Sequence, residues 1–272
     1  MDSTPSRPDQ ETGHARSNLT GLPAVARRHP VAVFLTLALG AGWASLIPAV
    51  TGLPAMPFLL LMLVALLGSA LLITAWTEGS GGVRRLLARL LQWRFHPGRY
   101  AMILLGMPAA TLVVAAIAGT ANLPDDWGAF ALTYLVQTVL WGALFANLWE
   151  ETAWTGFLQA RLMNRHGLLA GSLLTAPWFI SIHLPLSFLP GWTWHTAAVN
   201  FGLLVVAAPV MRYLLGIHYV DTRGSLLAVG LQHAAFNASS ELGLAKWEYV
   251  GGLVVLTVLV AITRHPIKQA TT

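Results

Sequence analysis

About eight apolar stretches, most close to twenty residues long, follow one another along this sequence and constrain its fold more than any other feature. A run of about 20 apolar residues is what an α-helix needs to cross a bilayer. In lipid, the backbone groups of such a run must be hydrogen-bonded within the helix. The sequence therefore predicts an all-α, polytopic membrane bundle of about eight transmembrane helices. The predicted spans cover approximately residues 30–50, 54–76, 100–119, 130–161, 168–188, 193–215, 225–243 and 249–263.

Composition agrees with a membrane protein and excludes several other classes. Hydrophobic residues make up 56% of the chain and charged residues 10%, whereas soluble proteins carry about 25% charged residues. The absence of cysteine excludes disulfides, thiolate nucleophiles and cysteine metal sites. The net charge of +5 comes from arginines in short loops rather than from a basic cluster interleaved with aromatics, so a nucleic-acid partner is not expected.

The distribution of cations predicts the topology. Residues 1–29 are polar and indicate a disordered cytoplasmic leader, residues 30–264 form the membrane domain, and 265–272 form a cytoplasmic tail. Eight crossings place both termini on one side. If that side is the cytoplasm, every arginine and Lys268 lie inside or at its border and only Lys246 lies outside. We therefore expect a multi-pass protein of the plasma membrane with both termini cytoplasmic.

One segment predicts a helix that lies on the membrane rather than across it. Between residues 78 and 99, leucines and arginines alternate at helical spacing, which is typical of an amphipathic interfacial helix on an anionic surface. The residues that give this pattern are Arg84, Arg85, Leu86, Leu87, Arg89, Leu90, Leu91, Trp93 and Arg94. Membrane lipid is therefore an expected partner.

Two adjacent glutamates interrupt the fourth apolar stretch. Glu150 and Glu151 lie in WGALFANLWEETAWTGFLQARL, residues 141–162, with no cation beside them. A charge at the centre of a bilayer costs about 2.5–3.5 kcal/mol on insertion scales, and such residues usually face the bundle interior and mark function. Because two neighbouring carboxylates repel each other, one of the pair is expected to hold a proton.

Three further polar side chains lie deep in later spans. His183 is on the fifth, while His233 and Asn237 are on the seventh and, being four residues apart, share one helix face. A carboxylate and two imidazoles in a dry cavity suit two chemistries. One is general-base activation of water by Glu150; the other is a zinc ion held by histidines and a carboxylate. An Asn amide facing the same point would stabilise an oxyanion.

These residues resemble the motifs of a known family, the type II CaaX prenyl endopeptidase and bacteriocin-processing (CPBP, Abi-like) intramembrane proteases. The family motifs are Glu-Glu-x-x-x-Arg, Phe-x-x-x-His and His-x-x-x-Asn on successive membrane helices. This chain has EETAWT at 150–155, FISIH at 179–183 and HAAFN at 233–237. Order and spacing agree, and the resemblance covers roughly residues 78–243, with a motif core at 140–243.

The resemblance implies a protease that cleaves prenylated, bacteriocin-like or other peptide substrates anchored at the membrane. By it, Glu150 would be the water-activating base and His183 its assistant. His233 and Asn237 would steady the oxyanion, and Glu151 would be a supporting carboxylate. Family members are described both as metalloproteases and as metal-free glutamate proteases. The resemblance therefore leaves a metal-free and a zinc-dependent mechanism open, and if zinc is bound, its ligands would be His183, His233 and Glu150.

The chain departs from the family pattern at one position. Thr155 stands where the first motif has arginine. An arginine there would lie one helical turn from Glu151 and hold it ionised. Without it we expect Glu151 to be neutral and structural, hydrogen-bonded to Thr155 or Asn147, so that Glu151→Gln retains most activity.

Two other functions remain open at this point. The first is a non-catalytic immunity or scaffold protein of the same family, which the missing arginine favours. The second is a proton-coupled transporter, because buried Glu and His also build proton relays. The sequence shows no inverted repeat to support a transporter.

Overall fold

A computed structural model describes residues 21–121 and 123–264, and within them the chain is helical without strands. This confirms the predicted all-α fold. Nine helices can be followed. They are α1 (Leu22–Arg28), α2 (Pro30–Val50), α3 (Ala55–Ala88), α4 (Pro97–Ala118), α5 (Trp127–His166), α6 (Leu168–His183), α7 (Trp194–Asp221), α8 (Leu226–Ala238) and α9 (Lys246–Thr263). Short 3₁₀ turns follow α3, α6 and α8, at Arg89–Leu91, Leu184–Phe188 and Ser239–Leu242.

Seven of the predicted spans coincide with helices that are long and apolar enough to cross a membrane, and the exception is α8. This helix has 13 residues, which at 1.5 Å per residue is about 20 Å and short of a bilayer core of about 30 Å. The prediction of eight full-length spans is therefore corrected to seven within the described residues. Most of α8 is buried by its neighbours, so protein rather than lipid surrounds Gln232 and His233, whereas Asn237 near its end is exposed.

Polar contacts at the helix ends define the two faces of the bundle. Asp221, at the end of α7, accepts hydrogen bonds from Arg99 at the start of α4 and from Arg264 just after α9. At the opposite face, Thr120 after α4 bonds to Glu248 at the start of α9. Helices α7 and α9 therefore run in the same direction, and α8 runs back between them.

Further contacts show that the first membrane helix, α2, begins at the same face of the bundle at which the last helix, α9, ends. Gln92, which follows α3, donates to the carbonyls of Thr222 and Arg223, so α3 ends at the face that carries Asp221. Helix α2 packs antiparallel on α3 through a short turn, and therefore begins at that face, where Arg264 also lies. Short α8 thus connects the two faces as a full span would. Which face is cytoplasmic remains a prediction.

The amphipathic segment is the part of α3 after a kink, and it is shorter than predicted. Gly79 interrupts α3 with φ 69° and ψ −172°, a backbone conformation that glycine tolerates and other residues rarely adopt. Beyond it the helix turns Leu86 inward and leaves Leu91 79% exposed. The helix stops at Leu91 rather than near residue 99, because residues 92–96 turn the chain into α4, which starts at Pro97.

The predicted leader and tail lie largely outside the described residues. Residues 1–20 and 265–272 are not described. Within the remaining part of the leader, Leu22–Arg28 form α1 rather than a disordered segment. This helix is held by the buried Ala26 and by Arg27, whose Nε donates to the carbonyl of Trp76 in α3.

Helix α5 carries the glutamates and is irregular around them. It begins at Trp127, where the Asp126 carboxylate accepts the amide of Ala129. Wide π turns occupy Val136–Asn147 and Thr152–Gln159, and an ordinary α turn, Leu148–Glu151, lies between them. Such widened turns often occur at functional sites, because the extra residue changes the direction in which side chains point.

Candidate active site

Close helix packing brings α8 against the turn that precedes the glutamates. A Cβ added to Gly142 of α5 would lie 2.6 Å from the Cβ of Ala234, and one added to Gly230 of α8 would lie 2.7 Å from a methyl of Leu148. Small residues at such positions let membrane helices approach closely. The two glycines thereby set the distance between the carboxylates of α5 and the histidine of α8.

The two glutamates occupy different environments although they are adjacent. Both are buried, with exposures of 7% for Glu150 and 0% for Glu151. The side chain of Glu151 points into a cluster of donors contributed by three helices. Glu150 faces a less crowded space beside the two histidines.

Glu151 is bound by a buried arginine from α7. Arg212 donates from Nη1 to Oε2 at 3.0 Å and from Nη2 to Oε1 at 2.5 Å, and neither side chain is exposed. Thr155 donates to Oε2 at 2.5 Å, which confirms the expected contact between Thr155 and Glu151. Because a guanidinium keeps its charge, this bidentate pair requires an ionised Glu151. The expectation of a neutral Glu151 is wrong.

Arg212 is the functional residue that the sequence analysis missed. It stands in the apolar run AAPVMRYLL and was counted among the cations at the border of a span. A signal was available, since a lone cation inside an apolar helix needs a carboxylate to offset its desolvation. Its backbone carbonyl also accepts a hydrogen bond from Gln159 Nε2 at 2.7 Å, which ties α7 to α5.

His233 is oriented by Glu151. Its Nδ1 lies 2.7 Å from Glu151 Oε1, and because an ionised carboxylate only accepts, Nδ1 carries the proton. The ring is therefore held in one tautomer with Nε2 directed away from the pair. A histidine held in this way by a carboxylate has a fixed ring orientation.

His183 is oriented by its own helix. Its Nδ1 lies 2.7 Å from the carbonyl of Phe179, one turn earlier on α6, so Nδ1 is the donor. The other nitrogen, Nε2, lies 3.6 Å from Glu150 Oε1. That separation is longer than a hydrogen bond. The second oxygen of Glu150 lies 3.9 Å from His233 Nδ1.

Glu150 keeps one buried oxygen without a hydrogen-bond partner. Oε1 makes no hydrogen bond to any described residue. Buried polar atoms are nearly always paired, and an exception calls for an explanation such as a water or a catalytic role. A water placed beside Oε1 and His183 Nε2 can bond to both atoms across the 3.6 Å gap.

Phe179 packs the cluster together. Its ring lies 4.5 Å from the ring of His183 and 5.9 Å from that of His233, and the guanidinium of Arg212 lies 4.4 Å above it. The last contact has cation–π geometry. One aromatic residue thus fixes side chains from three helices relative to Glu150 and Glu151.

Asn237 lies at the edge of this arrangement. It follows His233 by one turn on α8, and its Nδ2 donates to Asn147 Oδ1 at 3.4 Å. Asn147, expected as a partner of Glu151, instead meets Asn237. The structure therefore brings Glu150, Glu151, His183 and His233 together. It links Asn237 to the turn before Glu150, and its role toward an oxyanion stays a prediction.

The residues suggested as zinc ligands do not form a metal site in this arrangement. Among the described residues, no three His, Asp or Glu side chains are placed to hold a metal ion. The reason is local, because His233 turns its protonated Nδ1 toward the carboxylates and already donates it to Glu151. A ligand nitrogen must be unprotonated, and the nitrogen of His233 nearest Glu150 carries a proton.

Comparison with known families agrees with the position of this cluster. Residues 133–239 match the family model described as type II CAAX prenyl endopeptidase Rce1-like. The match contains both glutamates, Arg212, both histidines and Asn237, and it confirms the resemblance stated from the motifs. No curated protein sequence matches this chain.

Proposed function

We propose that this protein is an intramembrane endopeptidase, because residues 133–239 match the family model of Rce1-like type II CAAX prenyl endopeptidases. Its substrate would be a membrane-anchored peptide, prenylated or bacteriocin-like. One observation carries the proposal. Glu150 presents a buried carboxylate oxygen without a hydrogen-bond partner 3.6 Å from a histidine nitrogen, inside an apolar bundle.

The proposed reaction starts with a water held between Glu150 Oε1 and His183 Nε2. Glu150 takes a proton from this water while His183 orients it, and the hydroxide adds to the carbonyl carbon of the scissile bond. The carbonyl oxygen becomes an oxyanion. Glu150 then passes its proton to the leaving nitrogen as the C–N bond breaks.

Glu151 and Arg212 support this reaction without contacting the substrate. Their ion pair holds the Nδ1 proton of His233 in place. His233 and Asn237 are the proposed donors to the oxyanion. A donor of this kind contributes about 10²–10³-fold to the rate.

The geometry also removes the main argument for a non-catalytic relative. That alternative depended on Thr155 standing where the family motif has arginine. Arg212 supplies a guanidinium to the same carboxylate from α7. The supporting charge is therefore present, although it comes from another helix.

The experiment is cleavage of a panel of membrane-anchored peptides by the full chain in liposomes, with and without a chelator. We expect Glu150→Gln and His183→Ala to lower the rate about 10²–10⁴-fold. Glu248→Gln is the matched control, because Glu248 is equally buried but bonds to Thr120 at the face opposite Asp221. Undiminished cleavage by Glu150→Gln would overturn the proposal, and chelator-sensitive cleavage would assign a metal to the reaction.

A further inference from the structure

A basic cavity lies at the face that carries Asp221, apart from the glutamate–histidine cluster. Its volume is about 330 Å³, and it lies between the segment of α3 after Gly79, the last turns of α5 and the end of α7. The charged residues that line it are Glu78, Arg85, Arg89 and Arg161, and Asn164 and Tyr219 lie beside them. Three arginines thus face one carboxylate.

Two of the three arginines share one carboxylate within the protein. Glu78 accepts Arg161 Nη2 at 2.5 Å and Arg85 Nη2 at 3.2 Å. Arg161 is further fixed by the carbonyl of Phe157, which accepts its Nη1 at 2.9 Å. The single carboxylate is therefore shared by two guanidinium groups, and an excess of positive charge remains.

Arg89 and the Tyr219 hydroxyl have no hydrogen-bond partner among the described residues. In the described part of the chain, no carboxylate lies within ion-pair distance of Arg89, whose guanidinium sits 5.5 Å from the centre of the Tyr219 ring. Tyr219 is 7% exposed, and its hydroxyl makes no hydrogen bond to any described residue. Both residues line the cavity, and a buried hydroxyl and a half-buried guanidinium without acceptors point to a ligand that supplies acceptor oxygens.

We infer that this cavity binds the phosphate of an anionic glycerophospholipid, with Arg89 and the Tyr219 hydroxyl as its donors. A phosphate diester offers oxygens that a guanidinium can bind in a bidentate manner. The lipid source follows from the surroundings, since Leu87, Leu91 and Trp93 of the adjoining segment are exposed. Apolar side chains beside basic ones are typical of a surface that rests in the headgroup region.

The test measures lipid binding to the full chain by thermal unfolding in detergent and by the lipid retained in native mass spectra. The probes are phosphatidylglycerol, phosphatidylcholine and inorganic phosphate. We expect phosphatidylglycerol alone to raise the unfolding temperature. Arg89→Gln should weaken its binding about tenfold, as expected for the loss of one charge-assisted contact.

Two variants make this result specific. Arg84→Gln removes the same charge from the same segment, but Arg84 is exposed and does not line the cavity. This variant should therefore bind phosphatidylglycerol as the parent protein does. Tyr219→Phe removes a hydroxyl that no described residue bonds. It should therefore keep the fold and still weaken binding.

Three results would overturn the inference. The first is equal lipid binding by Arg89→Gln and Arg84→Gln, and the second is unchanged binding by Tyr219→Phe. The third is an equal stabilisation by inorganic phosphate, which would assign the cavity to a free anion and not to lipid.

Discussion

At the scale of single residues, the bundle gives two adjacent carboxylates opposite tasks. Glu151 is saturated by Arg212, Thr155 and His233 and so carries a fixed charge. Glu150 keeps a buried oxygen free of hydrogen bonds. A carboxylate that is fully bonded is a poor base for water, whereas one with an unused oxygen beside a histidine can take a proton. These environments support the proposed roles, with Glu151 as the supporting carboxylate and Glu150 as the base.

The first residue-scale prediction separates these two tasks. Glu151→Gln leaves the Arg212 guanidinium without a balancing charge in a fully buried site, and breaking such a pair costs about 3–5 kcal/mol. We expect it to lower both the unfolding temperature and the cleavage rate, contrary to the retained activity that a neutral Glu151 implies. Glu150→Gln should lower the rate alone. Parent-like stability of Glu151→Gln in detergent would contradict the ion pair.

The second residue-scale prediction tests whether the guanidinium that pairs with Glu151 can come from α5 instead of from Arg212 on α7. Arg212→Met removes the charge and keeps a long side chain, and should destabilise the bundle by about 3–5 kcal/mol. Adding Thr155→Arg places a guanidinium one helical turn from Glu151 on α5. We therefore expect the double variant to regain part of the stability and cleavage, as measured by thermal unfolding and peptide assay.

The control for this rescue is Arg212→Met with Thr155→Met, which adds similar bulk without charge. It should not recover either property. If both double variants behave alike, the contribution of Arg212 is packing against Phe179 and not its charge toward Glu151.

At the scale of helices, the site depends on how closely α8 approaches α5. His233 reaches Glu151 only because α8 packs on the turns around Gly142 and Leu148. The wide turns of α5 on both sides of Leu148–Glu151 change the direction of its side chains near the glutamates. The short α8, largely enclosed by other helices, keeps its histidine out of lipid.

An alanine at Gly142 tests this approach. Its Cβ would lie 2.6 Å from the Cβ of Ala234 and 2.8 Å from the backbone oxygen of Gln137, and such overpacking costs about 1–3 kcal/mol. We expect Gly142→Ala to lower stability and to slow cleavage by displacing His233. Gly68→Ala in α3 is the control, since its Cβ meets nothing within 4 Å. Equal stability of the two variants would show that α8 can shift without cost.

At the scale of the whole molecule, local sequence predicts some features and cannot predict others. Spans such as Pro30–Val50 follow from hydropathy alone, because the bilayer sets their length. The spacing of His233 and Asn237 places them on one helix face but does not say which carboxylate His233 meets. The pairing of Arg212 with Glu151 joins residues 61 positions apart. It depends on how α7 packs, and no local pattern specifies that.

The last prediction concerns how the bundle sits in the membrane. Because the chain has no cysteine, single cysteines introduced at exposed positions report their side by labelling with a membrane-impermeant maleimide. Arg94 lies near the face that carries Asp221, and Ser240, after α8, lies at the opposite face. The arginines concentrated near the Asp221 face favour the cytoplasm for it. We expect Ser240→Cys to be labelled on intact cells, and Arg94→Cys only after permeabilisation. Labelling of both from the same side would mean that α8 returns to the face from which it starts, and the arrangement of the site between α5, α6 and α8 would then have to change.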